Sequence, residues 1–290
     1  MQIPFTAMQS LSRNFLLCSS NGALPPERLS RHLTGRQTGL SAEGVVFCEC
    51  EELPDGERLY GASYYTSSGT AASLSAEALR ALAAYLQQSE KGLPQTLRIL
   101  SNGEIRRASA VKVSGEWSVL LPPPSFDPDR VGLSGGTPLL GQKIPVNAMK
   151  IPLYALDLGR PHAVTFEFGT TLENLKPASI ALPLSVKRLF CRGVCTVFAA
   201  LTGEDTLSVR LFDSEQGELD ASSEGAASAV TVAHLLGICP TARDVRVKMR
   251  GGTLTVRAEY LGAPLSVTAE AHTCFRGVID FDALTGEPFQ

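Results

Sequence analysis

Two segments of this 290-residue chain can only be buried helices, and no other feature of the sequence narrows the fold so much. "LRALAAYLQQ" (79–88) carries Arg80 as its one charge, and "AASAVTVAHLLGIC" (226–239) has His234 as its one ionisable residue other than the terminal cysteine. A surface helix keeps a polar stripe, so a helix that is apolar all round must be enclosed on every side. Helices are expected at 74–88 and 225–237, with a shorter one near 26–34.

Most of the remaining chain has the pattern of short strands. "AEGVVFCECEE", "GERLYGASYYT", "QTLRILSNGEIRRASAVKVSGEWSVLL", "HAVTFEFGT", "RGVCTVFAALTGEDTLSVRLFD" and "VRVKMRGGTLTVRAEYLG" are rich in β-branched and aromatic residues and are broken by Gly, Asn and Asp. "SNGE" (101–104) is the clearest hairpin turn. Many antiparallel strands and few, fully apolar helices are reconciled most economically by a sheet curled around one central helix, once in each half of the chain. The segment 120–138, "LLPPPSFDPDRVGLSGGTP", is expected to join the halves without regular pairing, because prolines remove backbone donors and glycines loosen the chain. At 44% hydrophobic residues the chain has material for one large core or two moderate ones.

Charge excludes some partners. A net charge of −3, a pI near 5.9 and the absence of any Lys/Arg run give no general attraction to nucleic acid or to an anionic membrane. No segment approaches 18 uninterrupted apolar residues, and "MQIPFTAMQSLSRNFLLCSS" lacks the basic start and apolar run of a secretory signal, so a soluble, cytoplasmic protein is expected. Seven dispersed cysteines argue against a disulfide framework. Cys48 and Cys50 form a C-x-C pair, but no second pair or adjacent His completes the four ligands that zinc demands; no metal and no cofactor are expected.

The two halves echo each other. Ser75-Ala76-Glu77-Ala78 precedes the first apolar helix and Ser222-Ser223-Glu224-Gly225 the second, 147 positions later, each after a strand and a glycine. A duplicated unit would explain the repeat.

With these elements in order, the chain resembles the diaminopimelate epimerase family. "AMQSLSRNF" (7–15), "TGLSAEGVV" (38–46), "LGRPHAVTF" (158–166) and "CFRGVI" (274–279) are similar to that family's opening, Gly-rich, Gly-Asn-Pro-His and closing segments. The resemblance covers most of the chain. It implies an α/β (α+β) fold of two pseudo-symmetric halves, each a mixed β-sheet rolled around a central helix, with the active site in the cleft between them. The halves would be residues 1–128, completed by 272–290, and 129–271.

In that family a cysteine before each central helix supplies one of two bases that move the α-proton of an amino acid. A thiol suits the task because its pKa, about 8.5 when free, falls further at a helix N-terminus and leaves a useful thiolate fraction at neutral pH. Alignment on the helices puts Ser75 and Ser222 at those positions, and a serine hydroxyl needs a neighbouring base before it can act. Serine is also a good N-cap, which gives both residues a purely structural reading. The family's Gly-Asn-Gly and Gly-Thr-Gly, which would hold a substrate carboxylate, correspond to Ala76-Glu77-Ala78 and Ser223-Glu224-Gly225. The resemblance implies further ligand contacts at Arg13, Thr66, Arg160, Cys195, Asp213 and Ser214. Arg13 and Arg160 would either clamp an anionic substrate or pair with Glu77 and Glu224 and close the site; the second is favoured here, because buried charges need partners. Cys195 and His162 have bland readings as core residues. The expected function is a cofactor-independent isomerase of the epimerase family, acting on a small anionic carbon acid, with altered substrate or impaired proton transfer. The alternative is a catalytically inactive paralogue that binds or assembles. A homodimer is compatible with either.

Overall fold

A computed structural model describes residues 2–19, 25–34, 40–52, 58–111, 115–186 and 189–280. Parts of the expected segments, namely 38–39, 56–57, 112–114 and 281–290, lie outside the described residues. Within the described residues there are 18 strands and five helices, and the chain divides into two compact units, residues 1–119 with 269–290, and residues 120–268.

The first unit begins with β1 (Gln2–Ser10), β2 (Arg13–Ser19), α1 (Pro26–Thr34), β3 (Gly44–Glu52), β4 (Arg58–Thr66) and the short β5 (Ala71–Ala72). It continues through α2 (Ala76–Ser89), β6 (Thr96–Ser101), β7 (Glu104–Ala110) and β8 (Glu116–Leu121). The second contains α3 (Pro128–Val131), β9 (Leu140–Val146), β10 (Met149–Asp157), β11 (Pro161–Thr165), α4 (Pro177–Val186), β12 (Cys195–Gly203), β13 (Thr206–Asp213) and β14 (Gly217–Leu219). It ends with α5 (Ser223–Leu235), β15 (Val245–Met249), β16 (Gly252–Arg257) and β17 (Leu265–Glu270), after which β18 (His272–Asp280) returns to pair with β1.

The pairings repeat. β1–β2, β3–β4, β6–β7 and β7–β8 are antiparallel while β2–β3 and β4–β6 are parallel. In the second unit β10–β11, β12–β13, β15–β16 and β16–β17 are antiparallel while β11–β12 and β13–β15 are parallel. Each parallel step needs a crossover longer than a hairpin, and α1, α2, α4 and α5 fill those four crossovers. The outer strands β18 and β9 also correspond, antiparallel to β1 and to β10 respectively. The repeat that four residues suggested therefore extends through these seven pairings per unit.

The two apolar helices are enclosed. In α2 every residue from Ala76 to Ala84 is buried, as is Leu86; in α5 Ser223 and every residue from Gly225 to His234 are buried. Alanines on all sides of these helices let the curled sheet approach closely, at a transfer gain of roughly 1.5–3 kcal/mol for each large side chain that is buried as well. On the other side of each sheet, α1 packs with Ile3, Leu16, Val45 and Phe47, and α4 with Leu153, Phe198 and Phe212.

Local sequence rules account for the turns. Asn102 and Gly103 both take positive φ, 51° and 78°, as a two-residue hairpin requires. The expected helix at 225–237 starts two residues earlier, because Ser222 is its N-cap. The connecting segment 120–138 is more ordered than expected. It contains α3, capped by Asp127 and closed by Gly132 at φ 76°, and isolated bridges Ser125–Asp157 and Leu133–Phe190. Helix α4 has no polar face and carries Pro183, so its sequence gives no helical period to detect.

Candidate functional site

The same register row crosses both sheets. In the first unit Phe15, Gly44 and Thr66 are direct partners across β2, β3 and β4; in the second His162, Cys195 and Asp213 are partners across β11, β12 and β13. Arg13 lies two residues before Phe15, and Arg160 two before His162. Helices α2 and α5 occupy equivalent crossovers, so Ser75 and Ser222 are also equivalent. The sequence-derived residues thus form two matching sets.

In the first unit Ser75 is half-exposed and caps α2, its Oγ accepting the Ala78 N–H at 3.2 Å. Ala76 is buried in the first turn. Glu77 is fully buried with its Oε1 3.9 Å from the Arg80 guanidinium, also fully buried. Arg80 Nε donates to Ser10 Oγ at 3.1 Å, and Ser10 Oγ to the Glu270 carbonyl at 3.0 Å. Arg13 Nη2 lies 2.9 Å from Glu43 Oε2. Glu43 is held through its backbone, whose N–H donates to Asn14 O and whose carbonyl accepts from Tyr64 Oη and Ser67 N–H. Thr66 Oγ1 lies in a hydroxyl chain, 2.8 Å from Ser68 Oγ, which is 3.0 Å from Thr70 Oγ1. Gly44 is required in its place in the row: a Cβ there would stand 2.2 Å from the Tyr65 carbonyl oxygen.

In the second unit Ser222 is buried and caps α5, its Oγ accepting the Gly225 N–H at 3.1 Å and standing 3.5 Å from Glu224 Oε2. Ser223 is fully buried, whereas Glu224 is half-exposed. Gly225 cannot be replaced freely, since a Cβ would meet Leu211 Cδ2 at 2.4 Å. Arg160 forms an ion pair with Asp213, whose other oxygen accepts the N–H groups of Glu215 and Gln216 at 2.9 and 3.0 Å. Ser214 Oγ accepts the Val194 N–H at 3.0 Å, which ties β12 to the end of β13.

The expectation that Arg13 and Arg160 would meet Glu77 and Glu224 does not anticipate these partners. Arg160 takes Asp213 and Arg13 takes Glu43, while Glu77 meets Arg80 within its own helix. The physical reason is reach. Asp213 is the direct neighbour of Cys195 on the adjacent strand, and an (i, i+3) pair needs no tertiary approach. Glu43 and Tyr64 were absent from the sequence-derived set. Their signal lies in the strand register, because Glu43 immediately precedes Gly44.

Two groups of the second set, Cys195 and His162, are held neutral. Cys195 is buried, and burial pushes its thiol up to about 12. Burial, with the nearby Arg160 cation, holds His162 down to about 3. His162 Nδ1 is 2.9 Å from the Arg160 carbonyl, an acceptor, so the neutral ring carries its proton on Nδ1 and Nε2 presents a lone pair. That nitrogen is buried and has no hydrogen-bond partner among the described residues. No group of three or more His, Cys, Asp or Glu among the described residues is arranged to hold a metal ion, and no helix there is long and apolar enough to cross a membrane.

Comparison with known proteins places this architecture. No family model matches the chain. Among solved structures, a phenazine biosynthesis PhzF-family protein of Enterococcus faecalis superposes with a TM-score of 0.67 at 14% identity, over 96% of this chain and 99% of that one. A hydroxyproline epimerase of Agrobacterium vitis, solved with trans-4-hydroxy-L-proline, gives 0.66 at 11% identity, over 100% and 95%. These likenesses define the class as the diaminopimelate epimerase-like fold. In sequence, a diaminopimelate epimerase of Xylella fastidiosa (strain M23) is 28% identical over 281 residues, 94% of this chain and 95% of its own. That of Halorhodospira halophila (strain DSM 244 / SL1) is 26% identical over 285 residues, 96% of each. The chain is a divergent homologue of the diaminopimelate epimerases.

Proposed function

We propose that the protein is a cofactor-independent isomerase of the diaminopimelate epimerase type, acting on a small anionic carbon acid, in which proton transfer no longer runs through two thiols. The observation that carries this reading is the state of the two helix starts. Each presents a serine whose Oγ accepts a backbone N–H, at 3.2 Å in α2 and 3.1 Å in α5. A free serine hydroxyl is too weak an acid to supply a base at neutral pH. Cys195, the thiol in the register row, is disfavoured as an anion by burial.

The carboxylate of Glu224 is the group best suited to take a carbon-bound proton. It is half-exposed in the first turn of α5, beside the Ser222 hydroxyl, and the N-terminal dipole favours its charged form. Arg160, 40% exposed at its side chain although paired with Asp213, would attract an anionic substrate group.

The test is solvent-deuterium incorporation at the acidic carbon of L,L-diaminopimelate and of a panel of small carboxylic acids. The wild-type chain is expected to exchange a member of the panel other than diaminopimelate, and Glu224→Gln to lower that exchange by 10²-fold or more, on the order of a lost general base. Ser75→Cys/Ser222→Cys tests whether two-thiol chemistry can be restored. Rapid inversion of L,L-diaminopimelate by the wild type, abolished by alanine at Ser75 or Ser222, would refute the reading. Absence of exchange with every acid would point to a chain that keeps the fold without the chemistry.

A further inference from the structure

At the far end of α2 from Ser75, a different set of groups converges. The helix has 14 residues, so its C-terminus lies about 20 Å from its start. There the C-cap Glu90 accepts the Tyr60 hydroxyl at 2.8 Å and the Arg58 guanidinium at 3.0 Å. Tyr60 is the direct cross-strand partner of Cys50, and Ala62, two residues on, is that of Cys48. Residues two apart on a strand share a face, so both cysteines lie on the side of β3 that carries Tyr60, next to the end of the helix. Cys50 is exposed and Cys48 half-buried.

The spacing selects what this pair can do. Positions two apart on a strand are separated by about 6.6 Å at Cα, with nearly parallel Cβ vectors. A disulfide needs Cβ atoms roughly 3.5–4.5 Å apart, so the strand would have to break to form one. Two metal–thiolate bonds of about 2.3 Å placed in line span about 4.6 Å between sulfurs, which small χ1 adjustments from 6.6 Å can reach. Zinc is excluded by number, because it requires four ligands and no third His, Cys, Asp or Glu is arranged to join in among the described residues. A soft monovalent ion accepts two thiolates in line and needs no more. The acidic surroundings act in two directions: Glu49, Glu51 and Glu52 flank the pair and attract a cation, while burial, with Glu90 and Glu49 nearby, pushes the Cys48 thiol up to about 12, so a bound ion must displace a firmly held proton there.

We propose that Cys48 and Cys50 form a two-coordinate site for a thiophilic monovalent ion of the Cu(I) class, separate from the candidate site at the two helix starts. Binding displaces both thiol protons to solvent and forms two sulfur–metal bonds, with no change of oxidation state. The inference is independent of the isomerase reading.

The full chain, reduced and kept free of oxygen, is titrated with Cu(I) in the presence of bicinchoninate as a coloured competitor. The wild type is expected to hold one equivalent against the competitor. Cys50→Ser, at an exposed position where folding is not at stake, should lose that equivalent, as should Cys48→Ser. Cys191→Ser/Cys274→Ser, which removes the other exposed thiols, should keep it. X-ray absorption of the copper-loaded wild type should show a shell of two sulfurs. Retention of the equivalent by Cys50→Ser, its loss in Cys191→Ser/Cys274→Ser, or a shell of three or more sulfurs would each overturn the proposal.

Discussion

The two units share a topology and differ in what they put on it. One row of one sheet holds Phe15, Gly44 and Thr66, and the matching row holds His162, Cys195 and Asp213. At the adjoining helix starts the exposure is inverted. In α2 the serine is half-exposed and the glutamate buried; in α5 the serine is buried and the glutamate half-exposed. A duplicated fold therefore constrains the backbone and leaves the chemistry free to drift separately in each copy. In the first unit the glutamate is drawn into a buried pair with Arg80, and in the second it stays at the surface beside the capping serine.

The comparison breaks most visibly at the buried ion pair. Glu77 and Arg80 have no exposed side-chain surface, and removing one member of such a pair leaves a charge in a medium that cannot solvate it. Arg80→Met is expected to cost about 3–5 kcal/mol in urea unfolding, whereas Glu224→Gln, at the equivalent of Glu77, should cost less than about 1 kcal/mol. The double variant Glu77→Leu/Arg80→Met should cost less than Arg80→Met alone. Equal losses for Arg80→Met and Glu224→Gln would mean that the two helix starts are energetically alike after all.

His162 provides the second contrast, since Phe15 occupies its place in the other unit and cannot titrate. Its folded pKa of about 3 lies below the ordinary 6.5, so the unfolded chain takes up a proton that the folded chain refuses. Stability is then fully present above pH 6.5 and is lost as pH falls towards 3, by about 1.4 kcal/mol per unit. Between pH 6.5 and 5 the wild type should lose about 2 kcal/mol that His162→Gln does not. Parallel stability–pH curves for the two proteins would sink the claim that the buried imidazole is neutral.

How much of this was legible follows the range of each interaction. The apolar helices, the Asn102–Gly103 turn and the recurring Ser-x-Glu are local, and the residues themselves disclose them. Helix α4 escaped because a segment apolar all round, with Pro183 inside it, has no period. Arg160–Asp213 and Arg13–Glu43 span 53 and 30 residues, and only the strand register brings them together. The row itself was invisible for the same reason, since Phe15, Gly44 and Thr66 carry no shared chemical signature until three strands align them.

The capping serines give the smallest effect and the one closest to function. Each Oγ satisfies one N–H that the first turn would otherwise leave without a partner. Ser222→Ala buries that loss and is expected near the upper end of the usual range, about 2 kcal/mol, while Ser75→Ala, where water can replace the hydroxyl, should cost about 0.5–1 kcal/mol. A thiol is the weaker acceptor, so Ser222→Cys should also destabilise the fold, by about 1 kcal/mol, even if it returns chemistry to the helix start. Thermal melts of the two alanine and two cysteine variants would measure this directly. If Ser222→Cys proved as stable as the wild type, capping would no longer explain why serine stands there, and selection for a hydroxyl in the reaction itself would become the better account.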